Sequence, residues 1–162
     1  MSYRSTLSPQ DPARIESLVE RTGVFNAEEI EIARSLAEEW LAEGEASGYA
    51  FLVADGADGI EGYTCFGAIP GTEHRYELYW IAVDPASQKR GLARALLDAT
   101  EAAVAARGGV ILYAETSSLP GYAPAHRFYD AAGYGRLATI PDYHADGDSL
   151  IVYGKRLRPP PR

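Results

Sequence analysis

The stretch from Arg75 to Thr116 does most to limit how this chain can fold. Arg75 to Val83 is rich in strand-forming residues, and Asp84-Pro85 stops it. From Gly91 to Arg107 the period becomes helical, with Leu92, Ala95, Leu96, Ala99, Ala103 and Ala106 on one face, and Gly108-Gly109 ends it. Val110 to Thr116 is a strand again. Two strands joined through a helix imply a crossover, hence a parallel pair with a helix laid on its face.

The flanking segments read as follows. Tyr3 to Leu7 suits a short edge strand. Asp11-Pro12 reads as an N-cap followed by proline at the first helical position, with Ile15, Leu18 and Val19 at helical spacing. A second helix starts near Asn26, with Glu29 as capping-box partner, and carries Ile30, Ala33, Leu36, Ala37, Trp40 and Leu41 on its apolar stripe. Tyr49 to Ala54 and Ile60 to Ile69 are strands of a meander that Arg75 to Val83 completes. Pro124 to Ala132 is a helix, and Gly135 to Ile140 and Ser149 to Leu157 are the last strands, with Pro141 to Asp148 as the loop between them. The expected order is β-α-α-β-β-β-α-β-α-β-β: an α/β fold with a mixed, mostly antiparallel central sheet and helices on both faces. Residues 1–157 read as a single domain, and 158–162 as a flexible proline-rich tail.

The formal net charge of -8 argues against nucleic acid as a partner, because phosphates need a basic face. No apolar run suits a membrane span or a signal peptide. The single cysteine, Cys65, precludes an internal disulfide and fits a cytoplasmic location. Its apolar strand setting suits a buried hydrophobe better than a nucleophile. His74 and His126 have no partner at metal-ligand spacing, so no metal site is expected.

The turn between the crossover's first strand and its helix reads Gln88-Lys89-Arg90-Gly91-Leu92-Ala93-Arg94. A helix N-terminus presents unpaired N–H groups, glycine lets a ligand approach the backbone, and Ala93 avoids crowding it, which together suit a pyrophosphate. The Gly-Lys-Ser/Thr of a Walker loop and the G-x-G-x-x-G dinucleotide fingerprint are both absent.

On these residues the chain resembles the GNAT acetyltransferase superfamily. Gln88, Gly91 and Ala93 match its Q/R-x-x-G-x-G/A signature, and Ile81-Ala82-Val83-Asp84-Pro85 matches the lead-in. Phe128-Tyr129-Asp130-Ala131-Ala132-Gly133-Tyr134 matches a second family element in type and spacing, and the element order agrees across almost the whole chain.

The resemblance implies acetyl-coenzyme A as co-substrate and an amine acceptor, either a small molecule or a peptide. It implies that backbone N–H groups between Gln88 and Ala93 (Lys89, Arg90, Gly91 and Leu92 among them), with Arg94 beside them, grip the pyrophosphate. Pantetheine then lies beside the strand like an added strand, and an N–H near Ile81, Ala82 or Val83 polarises the thioester carbonyl. Glu77 stands where several members carry a catalytic glutamate; it reads either as the general base or as a partly exposed strand carboxylate. Tyr129 occupies the usual general-acid position, where a phenol can reach the leaving sulfur while its ring stays buried; it reads either as that acid or, with Phe128 on an apolar helix face, as a packing residue. The asparagine that many relatives carry is Tyr122 here, and Ser117 is the candidate substitute. Phe25, Glu31, Tyr79, Tyr143 and His144 would frame the acceptor. Dimers are common in the family, so a homodimer is admissible. With no credible nucleophile by the loop, the amine is expected to attack the thioester directly. A non-catalytic acyl-CoA sensor would keep the loop and dispense with Glu77 and Tyr129.

Overall fold

The computed structural model describes residues 2–158; from residue 159 on, the expected tail lies outside the described residues, as does the side chain of Lys89. The elements are α1 (Asp11–Arg21), α2 (Ala27–Glu43), β1 (Ala50–Gly56), β2 (Gly59–Ala68), β3 (Arg75–Val83), α3 (Leu92–Ala106), β4 (Ile111–Ser117), α4 (Ala123–Ala131), β5 (Gly135–Ala145) and β6 (Asp148–Arg156), with short 3₁₀ turns at Gly44–Ser47, Gln88–Arg90 and Pro120–Tyr122. The strands form a six-stranded sheet in the order β1-β2-β3-β4-β6-β5. No helix among the described residues is long and apolar enough to cross a membrane.

The chain divides into two compact units, residues 1–67 with 79–100, and residues 68–78 with 101–162. The first unit holds α1, α2 and the β1–β2 hairpin. Ile15, Leu18 and Val19 of α1, Ala33 and Ala37 of α2, and Phe51, Val53, Tyr63 and Cys65 of the hairpin share one buried cluster. Burial pushes the Cys65 thiol up, so it stays protonated and acts as a small hydrophobe. The capping box at the start of α2 forms as expected: the Asn26 side chain accepts from the Glu29 N–H, and the Glu29 side chain accepts from the Asn26 N–H.

Two local expectations are corrected in this unit. Tyr3 to Leu7 is no strand; it makes one bridge, Arg4 to Val53, through two backbone hydrogen bonds. Asp11 is not the N-cap of α1, a position held by Gln10 without a side-chain bond. Instead Asp11 is fully buried and accepts from Arg4 Nη1 at 2.6 Å and from the Ser8 N–H at 2.7 Å. Arg4 also reaches Asp55 of β1 at 2.6 Å. Its guanidinium clamps helix to hairpin, and that use of the chain's start replaces further strand pairing.

In the second unit, Arg75–Leu78 of β3 pairs in parallel with Ile111–Ala114 of β4. β4 pairs antiparallel with β6 along its whole length, from Ile111 opposite Arg156 to Ser117 opposite Leu150. β5 runs on to Ala145 beside β6, through the segment expected as a loop. The continuation is irregular: register shifts between Ile140 and Ala145, and Asp142 takes φ 54°. Asp142 Oδ1 accepts from the Gly147 N–H at 2.8 Å, which holds the bulge shut. Helix α4 is fastened at its C-terminal end by Lys155, which donates to the Ala132 carbonyl at 3.1 Å and to both Glu101 oxygens at 3.0 Å. A cation on the last carbonyls of a helix also meets the negative end of its dipole.

Candidate active site

In the second unit, strand register decides which side chains meet. Glu77 lies directly opposite Tyr113, and side chains two apart on a strand share a face, so Glu115 projects to the same side. Val152, opposite Glu115, joins them. These residues, with Glu73 and Arg75, line a cavity of about 690 Å³. Burial raises the Glu77 carboxyl, the nearby charge of Glu115 raises it further, and together they push it up to about 7. A carboxylate balanced near neutrality can accept a proton and release it, as a general base requires.

The other face of the same strands carries Leu78, Ala114 and Tyr153. There α4 brings Tyr129 onto Tyr153, with ring centroids 5.2 Å apart and planes at 29°. Tyr129 is buried, and burial foremost, then Tyr153, raises its phenol, which therefore stays protonated at neutral pH and can donate. The Tyr153 hydroxyl accepts from Arg136 Nη2 at 2.9 Å, which fixes the ring beneath Tyr129.

The first unit carries the Gln88–Ala93 loop. Asp84 opens it: Oδ1 accepts from the Ala86 N–H at 2.9 Å, and Oδ2 accepts from Arg21 Nη2 at 2.7 Å. These bonds, the backbone one foremost, hold the Asp84 carboxyl below its usual range. Gln88–Arg90 makes a 3₁₀ turn, and Gly91 takes φ 71°, a conformation natural to glycine, before α3 begins at Leu92. A Cβ at Gly91 would meet nothing within 4 Å, so the backbone there opens onto free space that a phosphate group can enter. A helix leaves the N–H groups of its first turn, here those of Leu92 and Ala93, without carbonyls of its own. The loop therefore has the space and the N–H donors to accept a phosphate group. Leu92 packs with Val83 and Leu96 in the core, and Ala82 is buried as well. Residues of the β3 end thus have backbone, rather than side chain, to offer a ligand.

The other expected site residues are placed as follows. The Ser117 hydroxyl donates to Asp148 and accepts from the Leu119 N–H at 3.0 Å, so it is engaged in holding β4 to β6. Phe25 packs edge-on against Trp80 at 4.8 Å, and Tyr79 against Tyr49 at 5.5 Å, so both have packing duties. Glu31 is exposed on α2. Tyr143 and His144 stand perpendicular at 5.1 Å on the bulge of β5, with Tyr143 59% exposed. Among the described residues no His, Cys, Asp and Glu cluster could hold a metal ion. Glu115, Tyr113, Glu73 and Val152 were missed by sequence reasoning. The available signal was a charged residue, Glu115, following the apolar run Ile111–Ala114 of the strand.

The acetyltransferase (GNAT) family model matches residues 14–134. A solved GNAT-family structure from Desulfovibrio desulfuricans is 41% identical, covers 97% of this chain and 99% of its own, and superposes with a TM-score of 0.94. The ribosomal-protein-S18-alanine N-acetyltransferase from Escherichia coli is 20% identical over 99% of this chain and 96% of its own, with a TM-score of 0.77. An aminoglycoside 6'-N-acetyltransferase complexed with coenzyme A is 18% identical over 100% of both chains, with a TM-score of 0.76. At those identities these two speak to the fold. No protein with a curated description matches the sequence. The family match and the 41% identical structure together show that this chain belongs to the GNAT acetyltransferase family and takes acetyl-coenzyme A as its co-substrate.

Proposed function

We propose that the protein is an N-acetyltransferase that moves an acetyl group to a primary amine by direct attack of the amine on the thioester. The observation that carries this reading is Glu77, held near neutrality in an acidic cavity. An alkylamine is mostly protonated at neutral pH, and only its neutral form attacks a carbonyl. Glu77 takes that proton, directly or through a water, while Glu73 and Glu115 attract the ammonium form. The thioester supplies an activated acyl group. Backbone N–H groups at Ile81–Val83 stabilise charge on its carbonyl oxygen, and those of Gln88–Ala93 hold the pyrophosphate. The C–N bond forms as the C–S bond breaks, and the Tyr129 phenol gives its proton to the departing sulfur. The ammonium loses two protons in all, one taken by Glu77 and released from it to solvent, the other passing to solvent, from which the Tyr129 phenol is restored, so the products are the amide, coenzyme A thiol and one proton.

The names of the two more distant relatives both record acetylation on nitrogen, of an aminoglycoside in one and of a protein alanine in the other. They support an amine acceptor and leave its class, small molecule or peptide, to experiment. A cytoplasmic location, in keeping with the buried free Cys65, goes with this reading. The test is release of coenzyme A thiol from acetyl-coenzyme A across amines of both classes, run beside Glu77→Gln. Release that depends on an amine and collapses in the variant supports the reading. Binding of acetyl-coenzyme A with no release over the whole set turns it toward a non-catalytic sensor.

A further inference from the structure

Glu61 lies on β2, and its side chain runs across Gly56 at the hairpin: a Cβ at Gly56 would overlap the Glu61 Cγ. Its stem therefore has room there only because residue 56 is glycine. Glu61 Oε1 accepts from Arg90 Nη2 at 2.9 Å, and the same Nη2 donates to Ser87 Oγ at 2.9 Å. Ser87 is itself buried. The main chain repeats the attachment, because the Asp84 N–H donates to the Glu61 carbonyl at 2.7 Å and the Arg90 N–H to the Ser87 carbonyl at 3.3 Å. Arg90 is thus held by one nitrogen of its fork. Its Nε and Nη1 donors make no bond with the described residues, and the side chain is 63% exposed.

An arginine tethered through one nitrogen keeps its remaining donors in a defined direction and loses less freedom when a phosphate arrives. We propose that Glu61 is a positioning residue for coenzyme A: through Arg90 it aims free guanidinium donors at a phosphate of the ligand. Glu61 does not touch the ligand. The inference rests on the reading of the Gln88–Ala93 loop as the pyrophosphate site. The opposite role is physically available too. A carboxylate so near the loop would compete with phosphate for Arg90, and its removal would then tighten binding.

The experiment is calorimetric binding of coenzyme A to the native protein, Glu61→Gln, Arg90→Gln and the double variant, with thermal melting as a fold control. Glutamine keeps the stem over Gly56 and removes the charge. The expected result is a loss of affinity of about two- to fivefold in Glu61→Gln, the range of an exposed ion pair. In the Arg90→Gln background the Glu61 change should add nothing. Gly56→Ala, which displaces the Glu61 stem, should copy Glu61→Gln. Unchanged or tighter binding in Glu61→Gln, or a loss that persists without Arg90, overturns the inference while the loop reading stands. If the folded native protein binds no coenzyme A, the loop reading fails and this inference fails with it.

Discussion

Glu77 and Tyr129 serve opposite faces of one stretch of sheet: Glu77 shares a side with Tyr113 and Glu115, whereas Tyr129 stacks on Tyr153, whose side is that of Leu78 and Ala114. A carboxyl and a phenol so separated cannot neutralise each other through a direct hydrogen bond. Their environments also differ, one carboxyl poised near neutrality and one phenol kept protonated. That division matches a reaction in which one proton leaves the nucleophile and another joins the leaving group.

Turnover should follow the ionisation of Glu77. A base works in its ionised form, so kcat should climb roughly tenfold per pH unit on the acid side of about 7 and level off above it. Glu115→Gln removes the second of the two influences that raise Glu77, after burial, and should move the midpoint to lower pH. Glu77→Gln should abolish the limb and lower kcat by about 10²–10⁴-fold. A pH–rate profile of the three proteins decides; a midpoint that moves alkaline in Glu115→Gln contradicts the assignment.

The same shift has a stability sign. The folded carboxyl binds its proton more tightly than the value of 4.5 expected for an unperturbed glutamate. The native state is therefore favoured most below that value and loses this advantage as pH rises through about 7. Melting curves across this window should flatten in Glu77→Gln relative to the native protein.

Tyr129→Phe removes a hydroxyl and keeps the ring on Tyr153. Its kcat should fall by about tenfold or more, while coenzyme A binding and the melting temperature change little. An acyl donor with an acidic thiol, which leaves without a proton, should recover much of the rate. Equal losses with both donors would mark Tyr129 as a packing residue.

Gly91 separates charge from backbone strain. Gly91→Ala puts a side chain at φ 71°, costing about 1–2 kcal/mol, into a space where the Cβ meets nothing. It should fold and bind acetyl-coenzyme A, weakly at worst. Gly91→Glu adds a carboxylate where the proposed function seats the pyrophosphate and should abolish binding by calorimetry.

Arg4→Met should destabilise the first unit by about 3 kcal/mol, because Asp11 stays buried with the Ser8 N–H and a long contact to Arg14 at 3.5 Å. Burial by itself would raise the Asp11 carboxyl; the bonds from Arg4 and Ser8 outweigh it and hold the group below its usual range. That stabilisation is complete above the ordinary carboxylate range and is lost as pH falls through the lowered value. Urea unfolding of both proteins near neutral and at acid pH measures the loss and its pH dependence.

Much of this protein is legible one segment at a time. The periodicity of α2 and α3, the Asn26 capping box, the break at Asp84-Pro85 and the glycine before α3 all follow from interactions within a few residues, and each stands near its expected place. The loop and the α4 motif carry the family for the same reason: their chemistry is local to one turn and one helix.

The misses are contacts that the pattern of no single helix or strand records. Asp11 stands before a proline, as an N-cap would, yet Arg4 and the fold around it bury the side chain instead. Glu115 enters the site because parallel register sets Glu77 opposite Tyr113, and no pattern within either strand records that alignment. Arg90 is drawn to Glu61, twenty-nine positions away. The sequence by itself determined where helices, turns and the glycine loop before α3 arise, because those depend on neighbours along the chain. Only the tertiary structure decided which carboxylates share a cavity and how far burial lifts Glu77, because desolvation and charge coupling depend on distance in space.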